Sequence, residues 1–326
     1  MKVNSTTETV VKTGTHRALL GQLSDMDLRL LKVFKSVADC GGMAAAEMEL
    51  NIGTSTVSRH IKDLETRLGL HLCRRGRAGF ALTAEGQRVY DETLRLLAAV
   101  DGFRSSLDDI HQRMGGRLEL ALFDKTASNP EAKIHDAIAR FTELAPEVEL
   151  NLNVASSNAI VQGLMDGSYA VGVIPVHRNV QTLSYTPLFT EVMRLYCGNR
   201  HVLFGAASEP QAWADLRDHH FAGLGYNSPN MEFSHQAKLQ RRATAFDQEA
   251  IATLVLSGKY LGFLPDHYAE TFERRGLIRP LQSPLFRYDC TFVSVLRSSP
   301  APSRAALAFQ QCLVEAHATP PAGAAI

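Results

Sequence analysis

The stretch Asn-Ile-Gly-Thr-Ser-Thr-Val-Ser-Arg-His-Ile-Lys, residues 51–62, decides the fold. Its first three residues predict a tight turn, and the rest opens a helix whose apolar periodicity continues from Ser55 to Leu68. A second short helix, predicted over residues 44–50, precedes the turn. Two short helices joined by three residues are typical of a helix-turn-helix motif.

A longer helix precedes this motif and a hairpin follows it. Apolar residues on one face, including Phe34 and Val37, predict a first helix that ends at Gly41-Gly42. Residues 76–82, Gly-Arg-Ala-Gly-Phe-Ala-Leu, are a glycine-rich hairpin signal in the position of a wing. Residues 26–83 are therefore expected to form one winged helix-turn-helix domain.

A long helix is predicted over residues 84–115, behind an N-cap at Thr83. It carries an apolar seam whose positions are alternately four and three residues apart: Val89, Thr93, Leu96, Val100, Phe103, Leu107, Ile110 and Met114. This period of 3.5 residues, flanked by polar faces, favours a linker helix that dimerises. Packing of the helix on its own domain needs only a period of 3.6 and is the alternative interpretation.

After Gly116 the pattern changes to strands that alternate with helices. Strands are predicted at 117–123, 148–154, 170–174, 221–225, 243–246, 260–264 and 289–296, and helices at 131–144, 158–165, 232–240, 248–256 and 303–316. Repeated βαβ units of this kind predict two α/β lobes over residues 116–326 that are joined by crossing strands. The expected fold class is therefore an α domain followed by α/β lobes that enclose a cleft.

Composition excludes several classes of protein. The chain has 326 residues, of which 45% are hydrophobic and 21% charged, so it is neither disordered nor fibrous. Residues 1–25 are polar and predict a flexible arm, with Met26 as an alternative start. We find no signal-peptide pattern and no apolar run of 18 residues, and therefore expect a cytoplasmic protein with no membrane partner.

The cysteines and histidines give no pattern typical of a metal site. Five cysteines without a Cys-x-x-Cys pair fit neither a disulfide framework nor a zinc finger, and they favour a reducing compartment. His219 and His220 are adjacent, so in a strand they face opposite sides and chelate poorly. We expect no metal and no other cofactor.

Positive charge is concentrated in one segment of a neutral chain. Lys and Arg total 34, as do Asp and Glu, yet residues 52–80 contain six basic residues against two acidic ones. A helix in the major groove presents hydroxyl and guanidinium groups to base edges, and nearby basic groups reach phosphates. The candidate DNA-contacting residues are Thr54, Ser55, Thr56, Ser58, Arg59, Lys62, Arg74, Arg75 and Arg77. A solvated basic face on an ordinary helical domain is the alternative interpretation.

A dense set of short motifs runs in order through residues 26–86. They are Leu50-Asn51, Val57-Ser58-Arg59-His60-Ile61, Leu64-Glu65, Leu68-Gly69-Leu70 and Leu82-Thr83-Ala84-Glu85-Gly86. This set resembles the winged helix-turn-helix of LysR-type transcriptional regulators, and the resemblance extends through residues 117–173 and 254–265. Gly53-Thr54 stands where the family usually has Ser-Gln, so a base preference does not carry over.

The resemblance implies a sequence-specific DNA-binding transcriptional regulator. It implies a linker helix that dimerises, followed by a two-lobed effector-binding domain similar to periplasmic binding proteins. It also implies a homodimer on double-stranded DNA, with dimers pairing into a homotetramer, and a small-molecule effector. RNA polymerase is a further candidate partner.

Polar residues follow the predicted strands, at the ends where ligands bind in doubly wound lobes. Free N–H groups of the helices that start there favour an anionic group. The candidate effector-binding residues are Asp124, Thr126, Ser156, Ser157, Asn158, Val176, Tyr226, Asp247, Gln248 and Pro265. The resemblance implies that Ser156 and Ser157 face a carboxylate, which suits a small organic acid or an aromatic metabolite. Ordinary helix N-capping by Ser156, Ser157 and Asp247 is the alternative interpretation.

Three other functions are alternatives to a metabolite-sensing regulator. A redox-sensing regulator of the same architecture would use Cys197 or Cys290, although neither has a second cysteine near it in sequence. A hydrolase would use Ser156 and Asp124 in the cleft, but the chain contains no Gly-x-Ser-x-Gly, HExxH or phosphate-binding loop. A solute-binding transport protein conflicts with the expected DNA-binding region. The sequence thus predicts a regulator and not an enzyme.

Overall fold

The structure is a computed structural model that describes residues 21–76, 79–110, 114–176, 179–205, 210, 212–225, 231, 234–235 and 237–318. The chain separates into two compact units, the first ending at Leu97 and the second beginning at Ala98. Most of the predicted arm lies outside the described residues. No helix within the described ranges is long and apolar enough to span a membrane.

The first unit has the winged helix-turn-helix architecture. It contains α1 (Asp25–Asp39), α2 (Met43–Leu50), α3 (Thr54–Leu68), the antiparallel hairpin of β1 (Cys73–Gly76) and β2 (Gly79–Leu82), and the start of α4 (Ala84–Ile110). The structure confirms the predicted order of elements. Helix α1 begins at Asp25, inside the segment that the sequence predicts to be a flexible arm. The reason is that Ser24 forms a capping box with Asp27.

Left-handed residues and a buried apolar face fix the three helices. Asn51, with φ of 52°, ends α2, and Gly69, with φ of 66°, ends α3. Phe34, Val57 and Ile61 are completely buried and join α1 to α3 in one core. The tight turn that the sequence predicts thus lies between two helices, α2 and α3, that both pack on this core.

The junction between hairpin and α4 explains the Leu82–Gly86 motif. Thr83 Oγ1 accepts a hydrogen bond from Gly86 N at 2.8 Å and donates one to His71 O at 2.6 Å. A Cβ at position 86 would lie 2.0 Å from Leu72 O, so only glycine fits there. The predicted N-cap at Thr83 is confirmed.

In the second unit, the described residues form a nine-stranded sheet with helices packed on it. Its elements are β3 (Gly116–Leu122), α5 (Ile134–Leu144), β4 (Val148–Val154), α6 (Ser157–Asp166), β5 (Val171–Pro175), β6 (Leu183–Gly198), β7 (His220–Leu224), β8 (Gln240–Ala245), α7 (Gln248–Leu256), β9 (Leu261–Pro265), α8 (Asp266–Glu273), β10 (Ile278–Pro280), β11 (Arg287–Arg297) and α9 (Arg304–Ala318). Strand order is β4-β3-β5-β11-β6-β9-β7-β8, with β10 beside β6.

The sheet divides into the two expected lobes. Parallel strands β4, β3 and β5 form the first lobe, and β9, β7 and β8, also parallel, form the second. The long strands β6 and β11 pair antiparallel with each other and connect the lobes. The predicted α/β architecture with crossing strands is therefore confirmed.

Several elements differ from the sequence prediction. Strand β6 and helix α8 were not predicted, and β8 begins at Gln240, three residues before its predicted start. The helix expected over 232–240 is wrong at its C-terminal end: residues 234–235 are helical, but Lys238 is left-handed, with φ of 53°, and Gln240 already belongs to β8, while residues 232, 233 and 236 lie outside the described residues. At the linker, the described helix ends at Ile110, and residues 111–113 are also outside the described part.

Candidate functional site

Helix α3 separates the predicted DNA-contacting side chains from the core. Val57, Ile61 and Leu64 are completely buried at positions that share one helical face. The opposite face exposes Ser55, Arg59 and Lys62, Thr54 is exposed as the first residue of the helix, and Thr56 and Ser58 are half-buried. The sequence periodicity that builds the core thus also brings the predicted polar side chains together on one surface.

The cations of this surface are unpaired in the described part of the chain. Arg59 and Lys62 on α3, and exposed Arg74 on β1, have no acidic side chain within ion-pair distance there. Arg77 lies outside the described residues, and for Arg75 only the backbone in β1 is described. Thr54 donates its hydroxyl hydrogen bond to the Glu47 carboxylate, which ties α3 to α2.

One basic residue of the segment has a structural role instead. Arg67 Nε and Nη2 bind the buried Asp27 carboxylate at 2.5 and 2.9 Å. The Arg67 guanidinium, followed by hydrogen bonds from Ser24, lowers the pKa of Asp27 to about 2. Glu65 also braces α3, because its carboxylate accepts hydrogen bonds from Leu72 N and Cys73 N. The charge count could not separate these supporting residues from the exposed ones.

In the second unit, three strand ends bring the predicted cleft residues together. Phe123 N donates to Val173 O at 2.9 Å, and Ala155 N donates to Leu122 O at 3.0 Å. The loops that follow β3, β4 and β5 therefore leave the same edge of the sheet side by side. Asp124, Ser156 and Val176 lie on these three loops.

Two of the predicted polar residues act as helix caps. Ser156 Oγ accepts from Ala159 N at 3.4 Å at the start of α6, and Asp247 Oδ1 accepts from Ala250 N at 2.7 Å at the start of α7. For these two residues the N-cap interpretation describes the contacts in the structure. Ser157 differs, because its Oγ is buried and has no hydrogen-bond partner among the described residues.

Asp124 links the two lobes. Its Oδ2 accepts a hydrogen bond of 2.7 Å from Gln248 N in the first turn of α7. Its Oδ1 and Gln248 Oε1 are both buried and have no hydrogen-bond partner in the part of the chain that the structure describes. Burial raises the pKa of the Asp124 carboxyl to about 6, against a smaller lowering effect of the hydrogen bond from Gln248.

Further contacts between the lobes were not anticipated from the sequence. Lys125 Nζ lies 2.5 Å from Glu249 Oε2 and 4.6 Å from the Tyr268 ring centre. His267 bonds to Ser128 Oγ through Nδ1 and to the buried Glu191 through Nε2 at 2.9 Å. Glu191 lies within β6 and His267 within α8, the two elements that the sequence pattern missed.

The remaining predicted cleft residues occupy varied positions. Thr126 is buried in a short 3-10 turn after β3, and Pro265 is buried at the end of β9. Asn158 is exposed in the first turn of α6, and Val176 is half-buried. Tyr226 lies outside the described residues.

The cysteines proposed for redox sensing are buried. Cys197 is completely buried, and burial raises the pKa of the Cys290 thiol well above its usual range. Because the thiolate is the reactive form, these surroundings disfavour oxidation of Cys290. Within the described residues, no group of three His, Cys, Asp or Glu side chains is arranged to hold a metal ion.

Comparison with known proteins gives the same two-part division. Residues 28–87 match the family described as bacterial regulatory helix-turn-helix protein, lysR family, and residues 111–318 match the LysR substrate binding domain. The HTH-type transcriptional activator BauR of Pseudomonas aeruginosa is 38% identical over 284 residues, which cover 87% of this chain and 93% of BauR.

Solved structures share the fold over most of the chain. CbnR, a LysR family transcriptional regulator, aligns with a TM-score of 0.60 and 19% identity over 89% of this chain and 99% of CbnR. Full-length CbnR complexed with its target DNA aligns with a TM-score of 0.58 and 20% identity, again over 89% of this chain and 99% of that one.

The fold and these matches define a DNA-binding transcriptional regulator with an effector-binding domain, and not an enzyme. The chain belongs to the LysR family.

Proposed function

We propose that this regulator reads a specific DNA sequence through α3 and senses a small organic acid or aromatic metabolite in the cleft of its second unit. The observation that carries the DNA assignment is the exposed cationic face of α3, whose Arg59 and Lys62 form no ion pair with the described residues. We assign residues 26–83 to DNA binding, 84–115 to the linker helix and 116–326 to effector binding.

The side chains of α3 divide by chemistry into two roles. Arg59, with the hydroxyls of Thr54, Ser55, Thr56 and Ser58, reads base edges, because these groups are directional hydrogen-bond donors and acceptors. The basic groups of Lys62, Arg74, Arg75 and Arg77 contact phosphates on either side. The start of α3 adds backbone N–H groups without a side-chain cap, which favour a phosphate.

The cleft holds the effector at the ends of β3, β4 and β5. The N-terminus of α6, with the unpartnered Ser157 hydroxyl, supports an acid group as one part of the ligand. Contacts from Asp124 to Gln248 and from Lys125 to Glu249 join the lobes, so a ligand that alters these contacts changes the relation of one lobe to the other. That change alters promoter binding or activation.

The assembly is a homodimer through α4, with dimers pairing into a tetramer. Phe103 and Leu107 are exposed apolar residues on its seam, which supports this pairing. A two-fold dimer places its α3 helices on half-sites one or two DNA turns apart. The activator name of the similar BauR supports a further contact with RNA polymerase.

Replacement of Arg59 tests the DNA assignment. DNA that full-length wild-type protein enriches from a random pool serves as the operator. Arg59→Ala should weaken binding to this operator by about 10-fold or more, because one good base contact contributes about 1–3 kcal/mol. Fluorescence anisotropy measures the affinity.

Arg95→Ala is the matched control for this experiment. Arg95 is equally an exposed arginine of the first unit, but it lies on α4 and pairs with Glu92. We expect wild-type operator affinity for this variant. Equal affinity of Arg59→Ala and Arg95→Ala would contradict the assignment of α3.

A further inference from the structure

Two buried oxygen atoms at the junction of the lobes lack a hydrogen-bond donor among the described residues. Asp124 Oδ1 and Gln248 Oε1 are shielded from solvent, and no group in that part of the chain donates to them. Their residues meet directly, since Asp124 Oδ2 accepts from Gln248 N at 2.7 Å. Gln248 is 98% buried, so its side chain cannot turn out to bulk water. Buried acceptors are normally satisfied, and the missing group here is a donor.

The charges around Asp124 favour a cationic donor. Asp247 and Glu191 both lie close enough to disfavour ionisation of Asp124, in addition to its burial. Lys125 is the cation that acts in the opposite direction, but its ammonium already binds Glu249 at 2.5 Å. A ligand with a positive charge would therefore relieve repulsion at this place, whereas a second carboxylate would add to it.

The neighbouring loop, which leads from β4 into α6, favours a negatively charged group instead. Ser157 lies in the first turn of the ten-residue helix α6 and is 99% buried, and its Oγ has no hydrogen-bond partner within the described ranges. A hydroxyl and free N–H groups at a helix start favour an anion. Asp124 and Ser157 follow adjacent parallel strands, whose backbones are about 4.8 Å apart. A short molecule therefore reaches both.

We infer that the effector is a zwitterionic amino carboxylate, whose ammonium group binds Asp124 Oδ1 and Gln248 Oε1 and whose carboxylate binds Ser157 and the start of α6. This inference rests on the proposed function of the cleft and names the class of its ligand. Of the organic acids whose carboxylate can bind at the start of α6, only those that also carry a basic nitrogen fit both ends of this site.

The test measures thermal shift and calorimetric affinity with the full-length protein. The probes are the proteinogenic α-amino acids and straight-chain ω-amino carboxylates of two to six carbons. Each is compared with the acid that lacks the amino group and with the amine that lacks the carboxylate. We expect at least one amino carboxylate to raise Tm by mass action, and both of its partners to bind at least 10-fold more weakly.

Variants assign the two ends of the ligand. Asp124→Asn keeps an acceptor for Gln248 N but removes the charge, so it should bind the amino carboxylate at least 10-fold more weakly. Ser157→Ala should lose affinity for the same probe and for the matching plain acid. Asp289→Asn, an exposed acidic residue that pairs with Arg287, is the control and should bind as wild type does.

Three outcomes would overturn the inference: no amino carboxylate binds, a plain acid binds as tightly as its amino counterpart, or Asp124→Asn binds as wild type. Footprinting on the selected operator distinguishes these three binding outcomes from a failure of the proposed function, because it reports whether a ligand changes DNA binding. A plain acid that changes the footprint at the same concentration as its amino counterpart would refute the ammonium assignment and support metabolite sensing. An amino carboxylate that binds through Asp124 without changing the footprint would support the ligand class and refute its regulatory role.

Discussion

Asp124 is a carboxylate in surroundings that disfavour its charge. Burial is the main cause, and the hydrogen bond from Gln248 N offsets only part of it. A residue chosen for stability alone would be neutral here, because a buried charge without a counter-charge destabilises the folded state. A cleft residue whose surroundings disfavour its charge in this way is typical of a binding site.

Replacement of Asp124 should therefore stabilise the unliganded protein in a pH-dependent manner. Because the pKa of Asp124 in the folded state, about 6, lies above the ordinary aspartate value of 3.8, the folded state loses stability as pH rises between these values. Asp124→Asn should gain about 3 kcal/mol relative to wild type at pH 8, and about half of that at pH 5. Denaturant unfolding at both pH values measures the difference.

The control for this prediction is Asp289→Asn, since Asp289 is exposed in the same unit. This variant leaves the buried Asp124 carboxyl in place, so it should not show the larger gain at pH 8 that we expect of Asp124→Asn. A gain for Asp124→Asn that is the same at pH 5 and pH 8 would show that the buried charge is not its cause.

At the scale of elements, α4 changes its surroundings along its length. Thr93 is buried, and Val89 and Leu96 pack against the core of the first unit, as the alternative interpretation of the seam predicts. Phe103 and Leu107, farther along, are 64% and 42% exposed. A helix that only packed on its own domain would not leave a phenylalanine of its seam in water.

The double variant Phe103→Asp with Leu107→Asp should dissociate the proposed dimer. Two carboxylates in a two-fold seam face their own copies, so burial and repulsion both oppose association. Sedimentation velocity at micromolar concentration should give a smaller species than wild type. The pair Leu144→Asp and Leu285→Asp, which alters exposed apolar residues of the second unit, should sediment as wild type does. Dimers that persist in the seam variant would rule out this part of α4 as the interface.

The elements that the sequence predicted are those with local signals. Helix α3 has an apolar period, left-handed residues before and after it, and a compact set of cations. Strand β6 has a weaker signal, because Pro187 lies inside it and a buried charge, Glu191, occupies one of the inward positions of its alternating stretch, residues 189–194. Residues 195–198, where β6 pairs with β9 and β10, are all buried and do not alternate. Helix α8 follows Pro265 directly and is largely polar.

The candidate cleft was predicted only in part for the same reason. Asp124 and Ser157 follow strands that the pattern locates, so their place at a strand end was predictable. Glu191 and His267 come from β6 and α8, and their pairing at 2.9 Å depends on contacts between residues 76 positions apart. Likewise, only the fold shows that Arg67 pairs with Asp27, whereas Arg59 remains exposed.

At the scale of the whole molecule, attraction to DNA depends more on where the charged residues lie than on the net charge of the chain. The net formal charge is zero, so long-range attraction to DNA depends on how the cations of each chain are arranged. Lys62 lies exposed on α3, and Lys259 lies exposed in the second unit. Removal of either lysine changes the net charge by the same amount. A comparison of the two therefore separates a local electrostatic surface from a property of the whole chain.

Lys62→Ala should reduce the salt dependence of DNA binding, and Lys259→Ala should not. Each phosphate contact releases counterions and contributes about 0.9 to the slope of log K against log salt concentration, so a dimer that loses two contacts should lose about 1.8. The loss should be similar on selected and on random DNA, because a phosphate contact carries no sequence information. Affinities from 50 to 300 mM salt give the slopes. Equal slopes for the two variants would mean that attraction to DNA is not localised at α3.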